Sequence, residues 1–230
     1  MLTLPIYDVT PFTLLDYPGK TACIVWFSGC NLRCGYCHNP EIVRGKGKCT
    51  SEQVLAFLKK RQGMLDGVVL SGGEATLYKD IVTFARQVKQ LGYAIKLDTN
   101  GTRPDIIEKM LKGGLLDYIA LDYKAPASKY KSVTETHLFK YFDKTLGILS
   151  LQSKVPFEVR TTVHSDILNE RAVTDIMDDL NTLGYRGTYY VQNYINNNNP
   201  VLGSLPPQKQ PIDINLLPVP ESFTLAFRNF

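Results

Sequence analysis

Short apolar runs alternate with amphipathic segments along the chain from residue 22 onward. Each run is mostly apolar, as is typical of parallel strands that are covered on both faces. The six predicted strands are residues 22–27, 67–70, 94–97, 118–121, 157–161 and 188–192. Between them, apolar residues recur with helical spacing, and Thr50 to Gln53 have the pattern of a capping box at a helix start.

The alternation of strands and helices predicts parallel strands that are joined by right-handed crossovers. Six such units are fewer than the eight of a closed barrel, so we predict an α/β fold with a partial (β/α)6 barrel. A doubly wound sheet is the alternative. Residues 1–195 are expected to form this core domain. Residues 196–230 begin with four asparagines and a proline, which predicts an irregular C-terminal tail.

Composition indicates an ordinary globular protein, with 44% hydrophobic and 21% charged residues among 230. The net charge of +4 is small and dispersed, so it permits an acidic partner but does not indicate nucleic-acid binding. Residues 1–20 lack the pattern of a signal peptide, and no apolar stretch is long enough to cross a bilayer. We therefore expect a cytoplasmic protein without a membrane partner, whose five cysteines are reduced.

Three cysteines, Cys30, Cys34 and Cys37, have the spacing C-x₃-C-x₂-C. Thiolates this close together suit an iron–sulfur cluster or zinc. A structural zinc ion needs a fourth ligand, for which His38 is available, but adjacent residues rarely bind one tetrahedral ion together. An iron–sulfur cluster with three protein ligands instead leaves one iron open to a small chelating molecule. We favour this catalytic interpretation.

The other two cysteines do not add a second metal site. Cys23 lies inside the first predicted strand, where a small buried thiol is the simplest role, and Cys49 precedes the capping box. Two cysteines cannot complete another four-cysteine cluster, so an additional ferredoxin-like domain is not expected.

The cysteine loop, with Tyr36 between the last two cysteines, resembles that of the radical S-adenosylmethionine (SAM) superfamily. The resemblance implies that Cys30, Cys34 and Cys37 bind a [4Fe–4S] cluster and that SAM binds its open iron. It also implies that Tyr36, Cys37 and His38 line the part of the site that holds the adenine.

Further motifs follow successive predicted strands and resemble the same superfamily. Gly72-Gly73-Glu74 resembles the motif that holds the amino group of SAM. The segments around Asp98 and Asn100, and around Asp122 and Lys124, resemble those of glycyl-radical-enzyme activating proteins. There the aspartates and the lysine organise the SAM carboxylate and ribose, in some members with a monovalent cation.

The fifth predicted strand carries two more residues of this kind. By the same resemblance, Arg160 is expected near SAM, and His164 is a further candidate for this site. Some activating proteins also have a histidine after the sixth strand. This chain has Gln192, Asn193 and Tyr194 there, which leaves that contact open.

The strongest resemblance is to the activating proteins of anaerobic ribonucleoside-triphosphate reductase, through segments 13–20, 37–40, 96–101 and 160–164. It implies an enzyme that cleaves SAM reductively to a 5′-deoxyadenosyl radical and removes hydrogen from a glycine of a partner enzyme. Flavodoxin or ferredoxin would supply the electron. The alternatives are a radical SAM enzyme for a small molecule, such as a deazapurine precursor, and a non-enzymatic metal module that holds zinc or carries electrons.

Overall fold

The computed structural model describes residues 2–195, 201–203 and 205–230, and it has an α/β architecture. The strands are β1 (Ile6–Thr13), β2 (Ala22–Phe27), β3 (Gly67–Gly72), β4 (Ala94–Thr99), β5 (Tyr118–Asp122), β6 (Phe157–Val163), β7 (Thr188–Asn193) and β8 (Thr224–Arg228). The α-helices are α1 (Pro40–Arg44), α2 (Ser51–Lys60), α3 (Ile81–Gln90), α4 (Pro104–Lys112), α5 (Ala127–Thr134), α6 (Phe139–Leu151) and α7 (Glu170–Thr182). All six predicted strands are present as β2 to β7, which confirms the predicted α/β class.

The chain divides into two compact units. The first unit comprises Met1–Asn31, Asn39–Thr99 and Arg103–Ile119. The second unit comprises Leu32–His38, Asn100–Thr102 and Ala120–Phe230, so the described part of the tail belongs with residues 120–195. None of the described helices has both the length and the apolar character needed to cross a membrane.

In the first unit, β2, β3 and β4 pair in parallel and β1 pairs antiparallel with β2. The middle strands are almost fully buried, which explains their apolar sequences. Strand β1 was not predicted, because it is half exposed and contains Pro11, a residue that is usually confined to edge strands.

In the second unit, β6, β7 and β8 pair in parallel. The prediction of an irregular tail is wrong for Thr224–Arg228, which forms β8. The backbone of β8 covers one edge of β7, and Phe223 packs against Tyr185 and Tyr189 at ring-centroid distances of 5.7 and 6.3 Å. Pairing with a distant strand overrides the weak local preference of this segment.

The longer helices lie where the hydrophobic pattern of the sequence predicts them. Helix α2 begins with the predicted capping box, in which Gln53 N donates to Thr50 Oγ1 at 3.2 Å and Thr50 N donates to Gln53 Oε1 at 2.8 Å. The α3 residues Ile81, Phe84, Ala85 and Val88 are all buried, as their spacing predicts. The short helices α1 and α5 were not predicted.

Candidate active site

The glycine pair at the end of β3 lies against the backbone that leads into Cys30. Gly73 N donates to Phe27 O at 2.8 Å, and Glu74 N donates to Gly29 O at 2.9 Å. A Cβ on Gly73 would overlap the carbonyl oxygen of Gly29, and Gly72 has a φ of +117° that glycine adopts without strain. The two glycines therefore allow the β3 loop to hold the Gly29–Cys30 segment in place.

Replacing Gly73 with alanine is expected to lower the free energy of unfolding by about 3 kcal/mol, because the new methyl group would collide with backbone atoms. The matched control is Gly147→Ala in α6, where a Cβ meets nothing within 4 Å. That change should stabilise the protein by up to about 1 kcal/mol through helix propensity. Urea denaturation of both variants tests this, and equal effects of the same sign would contradict it.

The side chain of Glu74 is buried and bonded within its own neighbourhood. Its Oε1 accepts hydrogen bonds from Thr76 N at 3.0 Å, Thr76 Oγ1 at 2.5 Å and Thr99 Oγ1 at 2.9 Å. The side chain is 1% exposed. Glu74 thus joins the loop after β3 to the end of β4, which gives its carboxylate a structural role.

Asp98, near the end of β4, forms an ion pair with Lys96 and accepts a hydrogen bond from Ser71 Oγ at 3.1 Å. Lys96 was not singled out as a site residue, yet it is a lysine that is only 2% exposed, and a buried lysine requires a counter-charge. Lys96 and Asp98 are two residues apart, so both side chains lie on one face of the strand. This spacing could have identified Lys96 from the sequence.

Asn100 lies in the second unit and shapes the loop after β4. Its Oδ1 accepts from Thr102 N at 3.0 Å and from Thr102 Oγ1 at 2.6 Å, an Asx-type turn. The next residue, Gly101, has a φ of +73°, and its carbonyl accepts from Thr145 Oγ1 at 2.6 Å. These bonds make Asn100 a determinant of loop shape.

The cysteine loop contains a tight turn in which Cys37 N donates to Cys34 O at 3.0 Å. Cys34 is buried, whereas Cys30 and Cys37 are partly exposed. Burial raises the pKa of the Cys34 thiol, and the positive charge of Lys124 opposes that rise. Outside the loop, Cys23 lies buried inside β2, and this burial raises the pKa of its thiol to about 12.

Asp122, at the end of β5, is flanked by two cations. Lys124 Nζ lies 3.0 Å from Asp122 Oδ2, and Arg160 Nε donates to Asp122 Oδ1 at 2.9 Å. Burial alone would raise the pKa of Asp122, but the charges of Arg160 and then Lys124 hold it at about 2. The same aspartate keeps the pKa of Lys124 well above its ordinary value despite burial.

This charge cluster continues along β6. Arg160 lies within the strand, three residues before its end at Val163. Glu158 faces the same side two residues earlier, and its Oε1 is 3.9 Å from Arg160 Nη1 and from Arg228 Nη2. The five side chains Asp122, Lys124, Glu158, Arg160 and Arg228 carry a net charge of +1, which suits an anionic ligand group.

The aromatic residues of the second unit lie close to the cysteine loop. Lys124 Nζ is 6.0 Å from the ring centroid of Tyr36, which is buried. The ring of His38 stacks on Tyr194 with a centroid distance of 4.9 Å and an interplanar angle of 16°. His38 Nδ1 is buried and has no hydrogen-bond partner among the described residues, while burial lowers the pKa of this imidazole.

Tyr194 occupies the position after the sixth predicted strand at which some related proteins have a histidine. The structure shows its ring between His38 and His164, the latter at 5.1 Å and nearly edge-on. Its place directly after a parallel strand, like those of the other site residues, was the available signal.

No group of three or more His, Cys, Asp or Glu side chains within the described ranges is arranged to hold a single metal ion. An iron–sulfur cluster has a different requirement, because each thiolate binds a different iron and the sulfur atoms need not converge on one point. The three thiols of the loop match that donor set. The assignments of individual residues to a cluster or to SAM stay predictions.

Comparison with known proteins gives a consistent result. The sequence profile described as the radical SAM superfamily matches residues 24–179. A "Putative glycyl-radical enzyme activating enzyme MJ1227" of Methanocaldococcus jannaschii is 36% identical over 180 residues, which cover 74% of this chain and 73% of that protein. The "Pyruvate formate-lyase-activating enzyme" of Clostridium pasteurianum is 33% identical over 137 residues, which are 56% of each protein.

Among solved structures, Streptococcus suis SuiB bound to S-adenosylmethionine matches with a TM-score of 0.62 and 13% identity. The match covers 90% of this chain and 52% of SuiB, so this chain spans about half the length of that protein. At this identity the likeness is one of fold. It agrees with the predicted partial barrel.

Proposed function

The chain belongs to the radical SAM superfamily, and we propose that it is an activating enzyme that creates a glycyl radical in a partner protein. The observation that carries the proposal is the 36% identity to the Methanocaldococcus jannaschii protein over most of both chains. We further propose a partner related to anaerobic ribonucleotide reductase, since the motifs around Asp98 and Arg160 resemble those of its activating proteins. A flavodoxin or ferredoxin is the proposed electron donor.

The proposed ligands of a [4Fe–4S] cluster are the thiolates of Cys30, Cys34 and Cys37. When bound, the cluster supplies the electron that cleaves SAM into methionine and a 5′-deoxyadenosyl radical, which takes a hydrogen atom from the target glycine. The ammonium of Lys124 partly offsets the rise in the pKa of the Cys34 thiol that burial causes, and the thiolate is the form that binds iron. The chemistry of the donor set and this neighbouring charge support the assignment.

The SAM contacts are proposed on similar grounds. The net positive cluster around Asp122 would bind the SAM carboxylate through Lys124 and Arg160, since both remain charged at neutral pH. For the SAM amino group we propose the Gly72-Gly73-Glu74 loop, through glycine carbonyls and the Glu74 carboxylate, whose orientation is fixed by hydrogen bonds from Thr76 and Thr99. Asp98 and Asn100 are proposed as further SAM contacts on the strength of the family resemblance alone. A monovalent cation beside SAM, which the resemblance implies for some members of the family, stays a prediction.

His38 is the proposed contact for the adenine end of SAM, with Tyr36 beside it. A buried nitrogen such as His38 Nδ1, which has no hydrogen-bond partner in the described part of the chain, is costly unless a ligand satisfies it. The change His38→Phe would keep the stack on Tyr194 but remove that nitrogen. We expect SAM to bind about tenfold more weakly, a loss of about 1.4 kcal/mol, while stability is unchanged or slightly higher.

Equilibrium dialysis with labelled SAM, on anaerobically reconstituted protein, measures this effect. The matched control is Tyr141→Phe, an exposed aromatic change on α6 that should leave the dissociation constant unaltered. Unaltered SAM affinity in His38→Phe would contradict the adenine assignment.

Electron paramagnetic resonance (EPR) tests the proposed activity. The reduced enzyme and SAM are mixed under anaerobic conditions with anaerobic ribonucleotide reductase or, separately, with pyruvate formate-lyase. We expect a glycyl-radical doublet with the first partner, and replacing the target glycine with alanine should remove it. A doublet only with pyruvate formate-lyase would overturn the proposed partner, and no doublet with either would favour a small-molecule substrate such as a deazapurine precursor.

A further inference from the structure

The described part of the C-terminal tail bonds directly to the cysteine loop. Leu202 N donates to Cys37 O at 3.0 Å, and Gly203 N donates to Gly35 O at 3.0 Å. Both acceptors belong to the segment that carries Cys34 and Cys37. We name residues 201–203 and 205–208 the strap.

A second set of contacts attaches the strap to the ends of β6 and β7. His164 Nδ1 accepts from Asp166 N at 3.2 Å, which assigns the ring hydrogen to Nε2, and Nε2 donates to Pro206 O at 3.1 Å. Gln208 Nε2 donates to Asn193 Oδ1 at 2.7 Å. The strap is therefore fixed at two places, on the cysteine loop and on the sheet.

The two attachments are connected through stacked rings. His164 lies edge-on to Tyr194, and Tyr194 stacks on His38, the residue that follows Cys37. His164 is only 1% exposed, so its orientation is restricted by packing as well as by hydrogen bonds. This gives His164 a positioning role, and a direct contact of His164 with SAM stays a prediction.

The contact between strap and loop is backbone against backbone. A Cβ on Gly203 would lie 2.8 Å from Gly35 Cα and 3.3 Å from Gly35 O, where no flexible side chain can give way. In the opposite direction, a Cβ on Gly35 would lie 4.0 Å from Gly203 Cα and Leu205 Cγ, an ordinary contact. The two glycines therefore respond differently to the same substitution.

From these contacts we propose that the strap positions the cysteine loop, by holding the peptide groups of Gly35 and Cys37 in one conformation. The thiols of Cys34 and Cys37 are then presented in a fixed arrangement before any ligand binds. This deepens the proposed function, since the loop is the proposed cluster site. The coupling between strap and loop is nevertheless a property of the protein without its cluster.

Hydrogen exchange measured by mass spectrometry on the full-length, reduced, cluster-free protein tests the coupling. In Gly203→Ala we expect about fivefold to tenfold faster exchange, both at the amides of Leu202 and Gly203 and in the loop peptide that contains the Cys37 amide. Gly35→Ala should match the wild type. Faster exchange in the strap alone, or no change in either peptide, would overturn the proposal.

A second pair of variants separates the effect of the hydrogen bond between His164 Nε2 and Pro206 O from that of side-chain packing. His164→Asn retains an acceptor for Asp166 N but has no donor within reach of Pro206, whereas the longer amide of His164→Gln can place a donor near Nε2. We expect His164→Asn to loosen the loop as Gly203→Ala does and His164→Gln to restore most of the protection. Equal hydrogen exchange of the loop in the two variants would contradict a role of the His164–Pro206 hydrogen bond in positioning the loop.

The cluster-loaded enzyme provides an independent readout. The visible absorbance of the cluster should bleach in air at least threefold faster in Gly203→Ala than in the control Gly147→Ala or the wild type, because a looser loop admits oxygen. Equal bleaching would contradict the role of the strap in cluster retention. A protein that binds no iron would refute the proposed function, while the exchange result would still decide whether the strap positions the loop.

Discussion

Replacing Cys34 with alanine is expected to abolish cluster binding and to lower SAM cleavage at least ~10³-fold, equivalent to about 4 kcal/mol of transition-state stabilisation. Cys30→Ala and Cys37→Ala should have the same effect, because each thiolate is proposed to bind a different iron. The measurement is iron and sulfide content after anaerobic reconstitution, together with 5′-deoxyadenosine formation. Folding should be retained, since each change removes one sulfur atom.

The other two cysteines provide controls for this prediction. Cys49 is partly exposed and lies outside the loop, so Cys49→Ser should retain full iron content. Cys23 is buried, and its pKa of about 12 keeps the thiol protonated at neutral pH, so Cys23→Ala should affect stability but not iron content. A full cluster in Cys34→Ala, or a lost cluster in Cys49→Ser, would contradict the assignment of the ligands.

Asp122→Asn is expected to lower the free energy of unfolding by about 3 kcal/mol, because it removes the nearest negative charge from Lys124 and Arg160 in a partly buried site. The Asp122 carboxylate lies 3.0 Å from the Lys124 ammonium and 2.9 Å from the Arg160 guanidinium. For a chain of this size the loss corresponds to a fall in Tm of about 6–12 °C. Urea and thermal unfolding of the cluster-free protein measure it without any contribution from ligands.

The matched control is Glu108→Gln, the same change of charge on the exposed surface of α4. Its ion pair with Lys112 has the i,i+4 spacing and side-chain exposures of 42% and 74%, so solvent screens it. We expect a loss of less than about 0.5 kcal/mol there. A similar small loss in Asp122→Asn would show that Asp122 does not organise the charge cluster.

The parallel core could be predicted from the sequence because its strands are apolar and separated by helices of clear periodicity. Strands β2 to β7 follow that local pattern. The edge strands do not, since β1 is half exposed and β8 depends on pairing with β7. Long-range pairing of this kind leaves little trace in composition.

The candidate site could be predicted as a set of residues but not as a set of contacts. The Gly-Gly-Glu motif was found at the end of β3, yet sequence cannot show that the Glu74 carboxylate binds Thr76 and Thr99. Nor does a proline-rich tail reveal that Leu202 and Gly203 bond to the cysteine loop. Such contacts join segments that are distant in the chain, and their formation depends on the folded arrangement.

Release of 5′-deoxyadenosine from SAM, after anaerobic reduction of the reconstituted enzyme, is the most direct test of the central claim that three thiolates leave one iron free to bind SAM. We expect 5′-deoxyadenosine and methionine to appear in equal amounts with the wild-type protein and neither to appear with Cys34→Ala. Intact SAM in the presence of wild-type protein with a full, reduced cluster would contradict the claim.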